Sequence, residues 1–128
     1  MPNSYEDLQV WQKAMDLATD VYRATEGFPR KELYGLTAQV RQASVSVPSN
    51  IAEGKGRSDA DFARFLLQAR GSLWEVETQL LLSGRLGYLG AEDVQRLRRS
   101  AGEVGRLLSG LIKAIKPTPR GTGAATGD

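Results

Sequence analysis

The chain contains no cysteine and no histidine. Disulfides, Cys/His zinc sites, haem or iron–sulfur ligation by those residues, thiol nucleophiles and imidazole-based triads are therefore excluded. Uninterrupted apolar runs reach only three residues, as at Leu80-Leu81-Leu82, so no segment is expected to span a bilayer. Met1-Pro2-Asn3-Ser4 lacks the basic-then-apolar pattern of a secretion signal. The expectation is a cytoplasmic protein with no membrane partner. Charge of one sign is also lacking, with 17 Lys and Arg against 15 Asp and Glu.

What is present fits one globular domain. The 128 residues are 41% apolar and 25% charged, enough for a single core and too ordered in composition for wholesale disorder. Basic charge gathers in two stretches. Residues 28–58 carry five bases and two acids, and residues 92–128 carry seven and four. Residues 1–27 carry two and five, and residues 59–91 three and four.

Four segments have helical periodicity and none has sustained strand alternation. In the first, Leu8, Trp11, Met15, Ala18, Tyr22 and Thr25 recur at steps of three and four, with Leu17 and Val21 widening that face. Gly27-Phe28-Pro29 ends it, since proline lacks a donor and pushes the residue before it out of helical geometry. The second runs Leu33, Leu36, Val40, Ala43, Val47, Ile51. Its stripe stays in phase across Pro48, which predicts one bent helix with a freed Ser44 carbonyl, stopped by Gly54-Lys55-Gly56.

The third opens at Ser58, a good N-cap followed by Asp59 and Asp61. One seam is Phe62, Leu66, Ala69, Leu73, Val76, Leu80. A second runs at sevens through Leu67, Trp74, Leu81 and Tyr88, which extends the helix to about Gly87. The fourth reads Val94, Leu97, Ala101, Val104, Leu108, Leu111, Ile115. Gly102, Gly105 and Gly110 weaken it by up to ~1 kcal/mol each, and close backbone approach is one reason to keep them. Residues 117–128 have no side chain able to anchor them, so a disordered tail follows a domain of residues 1–116. The expected fold class is all-α, an antiparallel up-down-up-down four-helix bundle.

Candidate sites follow from the same reading. The helix 3 surplus at Leu67, Trp74, Leu81 and Tyr88 is a candidate oligomer interface; the plainer reading is a central helix touching three neighbours. Arg30, Lys31, Arg41, Lys55 and Arg57, with Arg96, Arg98 and Arg99, are candidate nucleic-acid contacts. Arg106, Lys113 and Lys116 extend that set. No aromatic residues interleave among them, and solvation of helix faces is the plainer reading. A symmetric ring would multiply weak patches. The polar strip Ser44, Ser46, Ser49, Asn50 and Glu53 is read as satisfying carbonyls loosened by Pro48, ahead of a contact line between helices or subunits.

No catalytic residues, metal ligands or cofactor are assigned. Di-metal bundles use Glu-x-x-His motifs, absent here. Glu75 and Glu77 lie two apart and cannot converge alone. Gly54-Lys55-Gly56-Arg57 fails the phosphate-loop pattern, with Ser49 where the first glycine belongs. A non-enzymatic protein is expected.

Three stretches resemble a known family. They are Asp7-Leu8-Gln9-Val10-Trp11-Gln12-Lys13-Ala14, Tyr34-Gly35-Leu36-Thr37-Ala38-Gln39-Val40-Arg41, and Val45-Ser46-Val47-Pro48-Ser49-Asn50-Ile51-Ala52-Glu53-Gly54. Gly71-Ser72-Leu73, Glu75-Val76-Glu77-Thr78-Gln79-Leu80 and Leu86-Gly87-Tyr88-Leu89 continue the match over about residues 5–90. The chain resembles the four-helix bundle family also known as the 23S rRNA intervening-sequence proteins. The resemblance implies a small bacterial bundle, a homopentameric ring, and no catalytic residue. A related branch, the accessory variability protein of diversity-generating retroelements, pairs with a reverse transcriptase and touches nucleic acid through a basic surface. Gln42 stands where family members often have a second Arg after the position of Arg41. The partners implied are further copies of the chain, and RNA or a nucleoprotein. The alternative is a scaffold that docks a partner enzyme such as a reverse transcriptase.

Overall fold

The computed structural model describes residues 4–115. The expected tail, residues 117–128, lies outside them, as does Lys116. The described residues form four helices, α1 (Gln9–Ala24), α2 (Leu36–Lys55), α3 (Asp59–Arg85) and α4 (Ala91–Ile115), with no strand among them. Helix α1 packs on α2 and α4, and α3 packs on the same two. None of these helices is long and apolar enough to cross a membrane.

Helix α1 buries a different stripe from the one its longest apolar series suggests. Val10, Ala14, Leu17 and Val21 are in the core, whereas Met15 and Tyr22 are about two-fifths exposed, at 41% and 43%. Its end comes where Thr25 turns its hydroxyl back to the Val21 carbonyl at 2.9 Å. The chain then makes two short 3-10 turns, Thr25–Gly27 and Arg30–Glu32, on either side of Phe28-Pro29.

Helix α2 begins three residues later than its apolar series. The Glu32 carboxylate accepts a hydrogen bond from the Leu36 N–H at 3.1 Å, supplying the acceptor that an N-terminal amide needs. Leu33 therefore precedes the helix and is exposed instead of joining the stripe. The helix runs unbroken through buried Pro48. At its far end α3 approaches so closely that a Cβ on Gly54 would lie 2.7 Å from Phe65 Cβ and 3.0 Å from Phe62 Cδ1.

Ser58 caps α3 as its sequence requires, accepting from the Asp61 N–H at 3.2 Å. The helix stops at Arg85, short of Gly87, because Gly87 turns left-handed with φ +80°. That turn brings the N–H groups of Tyr88 and Leu89 back to the Ser83 carbonyl at 2.9 and 3.3 Å. In α4 the expected close approach is found at Gly105, where a Cβ would sit 3.3 Å from Leu73 Cδ2, and not at Gly102 or Gly110.

The core joins all four helices through Leu17, Val47, Ile51, Leu66, Leu73 and Leu108, each essentially inaccessible to solvent. Burying a side chain of this size contributes roughly 1.5–3 kcal/mol. The polar strip of α2 makes a contact between helices, while no side chain of the strip bonds the Ser44 carbonyl that Pro48 frees. Asn50 Nδ2 donates to the Ser46 carbonyl at 2.9 Å, not to that of Ser44, and Ser72 Oγ donates to Ser46 Oγ at 3.0 Å across to α3.

Candidate functional site

The basic candidates divide between two ends of the molecule. Arg30 and Lys31 stand on the turn before α2. Tyr88, just after α3, donates its hydroxyl to Glu32 Oε2 at 2.9 Å, which ties that turn to the connection entering α4. Arg41, in the first half of α2, and Arg96, Arg98 and Arg99, in the first half of α4, belong to the same end. Lys55 and Arg57 lie at the opposite end, where Gly54 meets the start of α3.

Arg41 is held by three contacts. Its Nε donates to Thr25 Oγ1 at 2.8 Å and its Nη2 to the Tyr22 carbonyl at 3.2 Å. Its Cζ sits 4.7 Å from the centroid of the Tyr22 ring, a cation–π distance. Beside it is a cavity of about 330 Å³ lined by Thr25, Thr37, Arg30, Glu26, Phe28 and Leu33, among others. Thr37 Oγ1, buried at its wall, has no hydrogen-bond partner.

The cations differ in how much of their charge is already used. Arg96 bonds Asp93 and reaches Asp20 Oδ1 at 3.3 Å, linking α4 to α1. The Asp93 bond, then the Asp20 bond, raises its pKa. Arg57 pairs with Glu53 at 3.5 Å and lies over the Phe65 ring. Arg30, Lys31, Arg41, Lys55, Arg98 and Arg99 form no ion pair among the described residues.

The heptad surplus on α3 is divided as well. Leu67, Trp74 and Leu81 stand out on its surface, exposed by 41%, 58% and 42%. Tyr88 leaves the series. It lies beyond the end of the helix, its ring 5.5 Å from that of Phe28, half-buried against the core. The left-handed turn at Gly87 redirects it.

A second apolar surface was not singled out by the sequence. Trp11, Met15 and Tyr22 of α1 and Val45, Pro48 and Ala52 of α2 line a groove of about 570 Å³. The signal was present in α1, where a compact series at Val10, Ala14, Leu17 and Val21 competes with the bulkier series at Trp11, Met15, Ala18 and Tyr22. A helix bearing two neighbouring stripes has one to spare. No group of three or more Asp or Glu placed to hold a metal occurs among the described residues.

The family model described as 23S rRNA-intervening sequence protein matches residues 6–110. The chain belongs to that family. The matched span covers α1 to α3 and most of α4. This 23S rRNA-intervening sequence family member is similar to a crystal structure from Bacteroides thetaiotaomicron VPI-5482, a protein with unknown function from the S23 ribosomal protein family. The two are 25% identical with a TM-score of 0.73, over 81% of this chain and 98% of that one. No curated protein matches the chain.

Proposed function

We propose that this member of the 23S rRNA-intervening sequence family is a non-enzymatic, cytoplasmic, self-associating bundle that binds RNA through basic residues. The observation that carries the reading is Arg41. A guanidinium fixed by Thr25 and Tyr22, with no carboxylate partner among the described residues, is preorganised for an external anion. Arg30, Lys31, Arg98 and Arg99 add unpaired charge at the same end.

The bundle is antiparallel and up-down-up-down. Cross-helix contacts support this by falling in reverse order along three of the four neighbouring pairs. Lys13 meets Glu103 while Asp20 meets Arg96. Ser46 meets Ser72 while Gly54 meets Phe62, and Leu73 meets Gly105 while Gly84 meets Val94. Copies assemble through the exposed α3 surface into a ring, five-membered as the family resemblance implies, and the ring repeats the cationic end around its axis.

The test is fluorescence anisotropy of a labelled single-stranded RNA across a salt series. Affinity should fall steeply as salt rises, with a slope of about −0.7 per phosphate contact. Arg30→Ala with Arg98→Ala and Arg99→Ala should weaken binding evenly across sequences and flatten the slope. Absence of binding at low salt, or binding indifferent to salt, overturns the reading. A partner protein that co-purifies after nuclease treatment points to the scaffold alternative.

A further inference from the structure

The cavity beside Arg41 holds more polar groups than the fold uses. Its lining comes from the end of α1, the turn that carries Arg30 and the first half of α2, and its volume is about 330 Å³. Small-molecule sites begin at roughly 300 Å³. A guanidinium has five N–H donors. Arg41 commits one on Nε to Thr25 and one on Nη2 to Tyr22, which leaves one on Nη2 and two on Nη1 without a hydrogen bond among the described residues. Arg30 forms no ion pair among them. Thr37 is only 4% exposed, and its hydroxyl has no partner. A buried hydroxyl left unmet is rare and costs stability. A ligand oxygen in the cavity would meet it, since threonine has two χ1 rotamers open to it in a helix and can turn its hydroxyl.

The lining selects the chemistry of the ligand. Donors come from Arg30 on the turn and from Arg41 and Thr37 on α2. A carboxylate has two coplanar oxygens, which the fork of one guanidinium already saturates. A phosphate monoester has three terminal oxygens and serves both arginines and the hydroxyl. Phe28, Pro29 and Leu33 supply an apolar wall for the body that carries the phosphate. Glu26 belongs to the same lining. Two arginines against one carboxylate leave a single surplus positive charge, which suits one phosphate and not a chain of them. The Glu26 carboxylate is also an acceptor for a sugar hydroxyl.

We infer that this cavity binds a ribonucleoside monophosphate, with the terminal phosphate on Arg41, Arg30 and Thr37 and the ribose hydroxyls toward Glu26. This rests on the anion-binding role given to Arg41 above and goes further by naming the cavity, the Thr37 hydroxyl and a terminal phosphate. The nucleotide is either free in solution or the phosphorylated end of an RNA strand.

The test is isothermal titration calorimetry of the full chain with uridine monophosphate and with adenosine monophosphate. At least one should bind, its unphosphorylated nucleoside should not, and its triphosphate should bind no more tightly. Thr37→Val and Arg30→Ala should each weaken binding by about tenfold, the loss of a hydrogen bond to a charged group. Arg64→Ala, whose side chain pairs with Asp61 at the start of α3, should leave it unchanged. Circular dichroism checks that each variant is folded. A second arm compares one labelled RNA with and without a terminal phosphate by anisotropy. Tighter binding of the phosphorylated strand, lost in Thr37→Val, assigns the site to strand ends. Nucleotide binding without that preference assigns it to a free small molecule. Both results support the inference. No binding of either nucleotide together with no preference for the phosphorylated strand overturns it, and so does undiminished binding by Thr37→Val and Arg30→Ala. In those cases the RNA reading stands if the strand itself still binds. Nucleotide binding by a chain that binds no RNA overturns the RNA reading and leaves the cavity's assignment in place.

Discussion

Tyr88 donates its hydroxyl to Glu32 at 2.9 Å, and Glu32 uses its other carboxylate oxygen to cap α2 at Leu36, 3.1 Å away. One carboxylate thus closes a helix N-terminus and fastens the α3–α4 connection to the turn after α1. The bond also settles the fate of a residue that heptad spacing had placed on the outer face of α3.

The bridge makes stability depend on pH from both sides. The Leu36 N–H, then the Tyr88 hydroxyl, holds the Glu32 pKa below its ordinary 4.5. That stabilisation is complete above 4.5 and is lost as pH falls through the lowered value of the folded state. Glu32 in turn pushes the Tyr88 pKa above its ordinary 10.0. That part is complete below 10.0 and is lost as pH rises through the raised value. Thermal melts of wild type and Glu32→Gln should differ most between these limits. The two curves should converge in acid.

Arg96 is expected to be a structural cation. Its pairs with Asp93 and Asp20 are partly exposed, with 44% of its own side chain accessible. Arg96→Ala should therefore lower stability by no more than about 1 kcal/mol, measured by urea denaturation. It should reduce RNA affinity less than Arg98→Ala or Arg99→Ala does in the anisotropy assay.

Gly54→Ala should destabilise by about 1–3 kcal/mol, because the new methyl meets the Cβ of Phe65 and not the end of a flexible chain. Gly56→Ala, two residues on, adds its methyl to open space and should change stability by under about 0.5 kcal/mol. Denaturant midpoints of the two variants make the comparison.

Thr37→Val should raise stability. The Thr37 hydroxyl is buried without a partner, a state that costs about 1–3 kcal/mol. Valine keeps the shape and removes the unmet group. A higher melting temperature with unchanged circular dichroism is the expected result.

The four helices could be read from the sequence because their signals are local. The Ser58 cap, the α2 stop at Gly54-Lys55-Gly56 and the apolar series of α4 each act within a few residues. The candidate site was legible only as a set of charges. Sequence could not separate Arg96, whose charge is taken up by Asp20 from a distant helix, from Arg98 and Arg99, which have no such partner.

Local periodicity, capping and the punctuation of glycine and proline determined that the chain forms four amphipathic helices. Tertiary packing alone decided which of two stripes on α1 faces inward, whether Tyr88 points in or out, and which cations stay free. The reason is physical. An apolar stripe requires some cover, but which element supplies it depends on neighbours far away in the chain. On α1 the compact series Val10, Ala14, Leu17 and Val21 fits against α2 and α4, and the bulkier Met15 and Tyr22 are left at the surface.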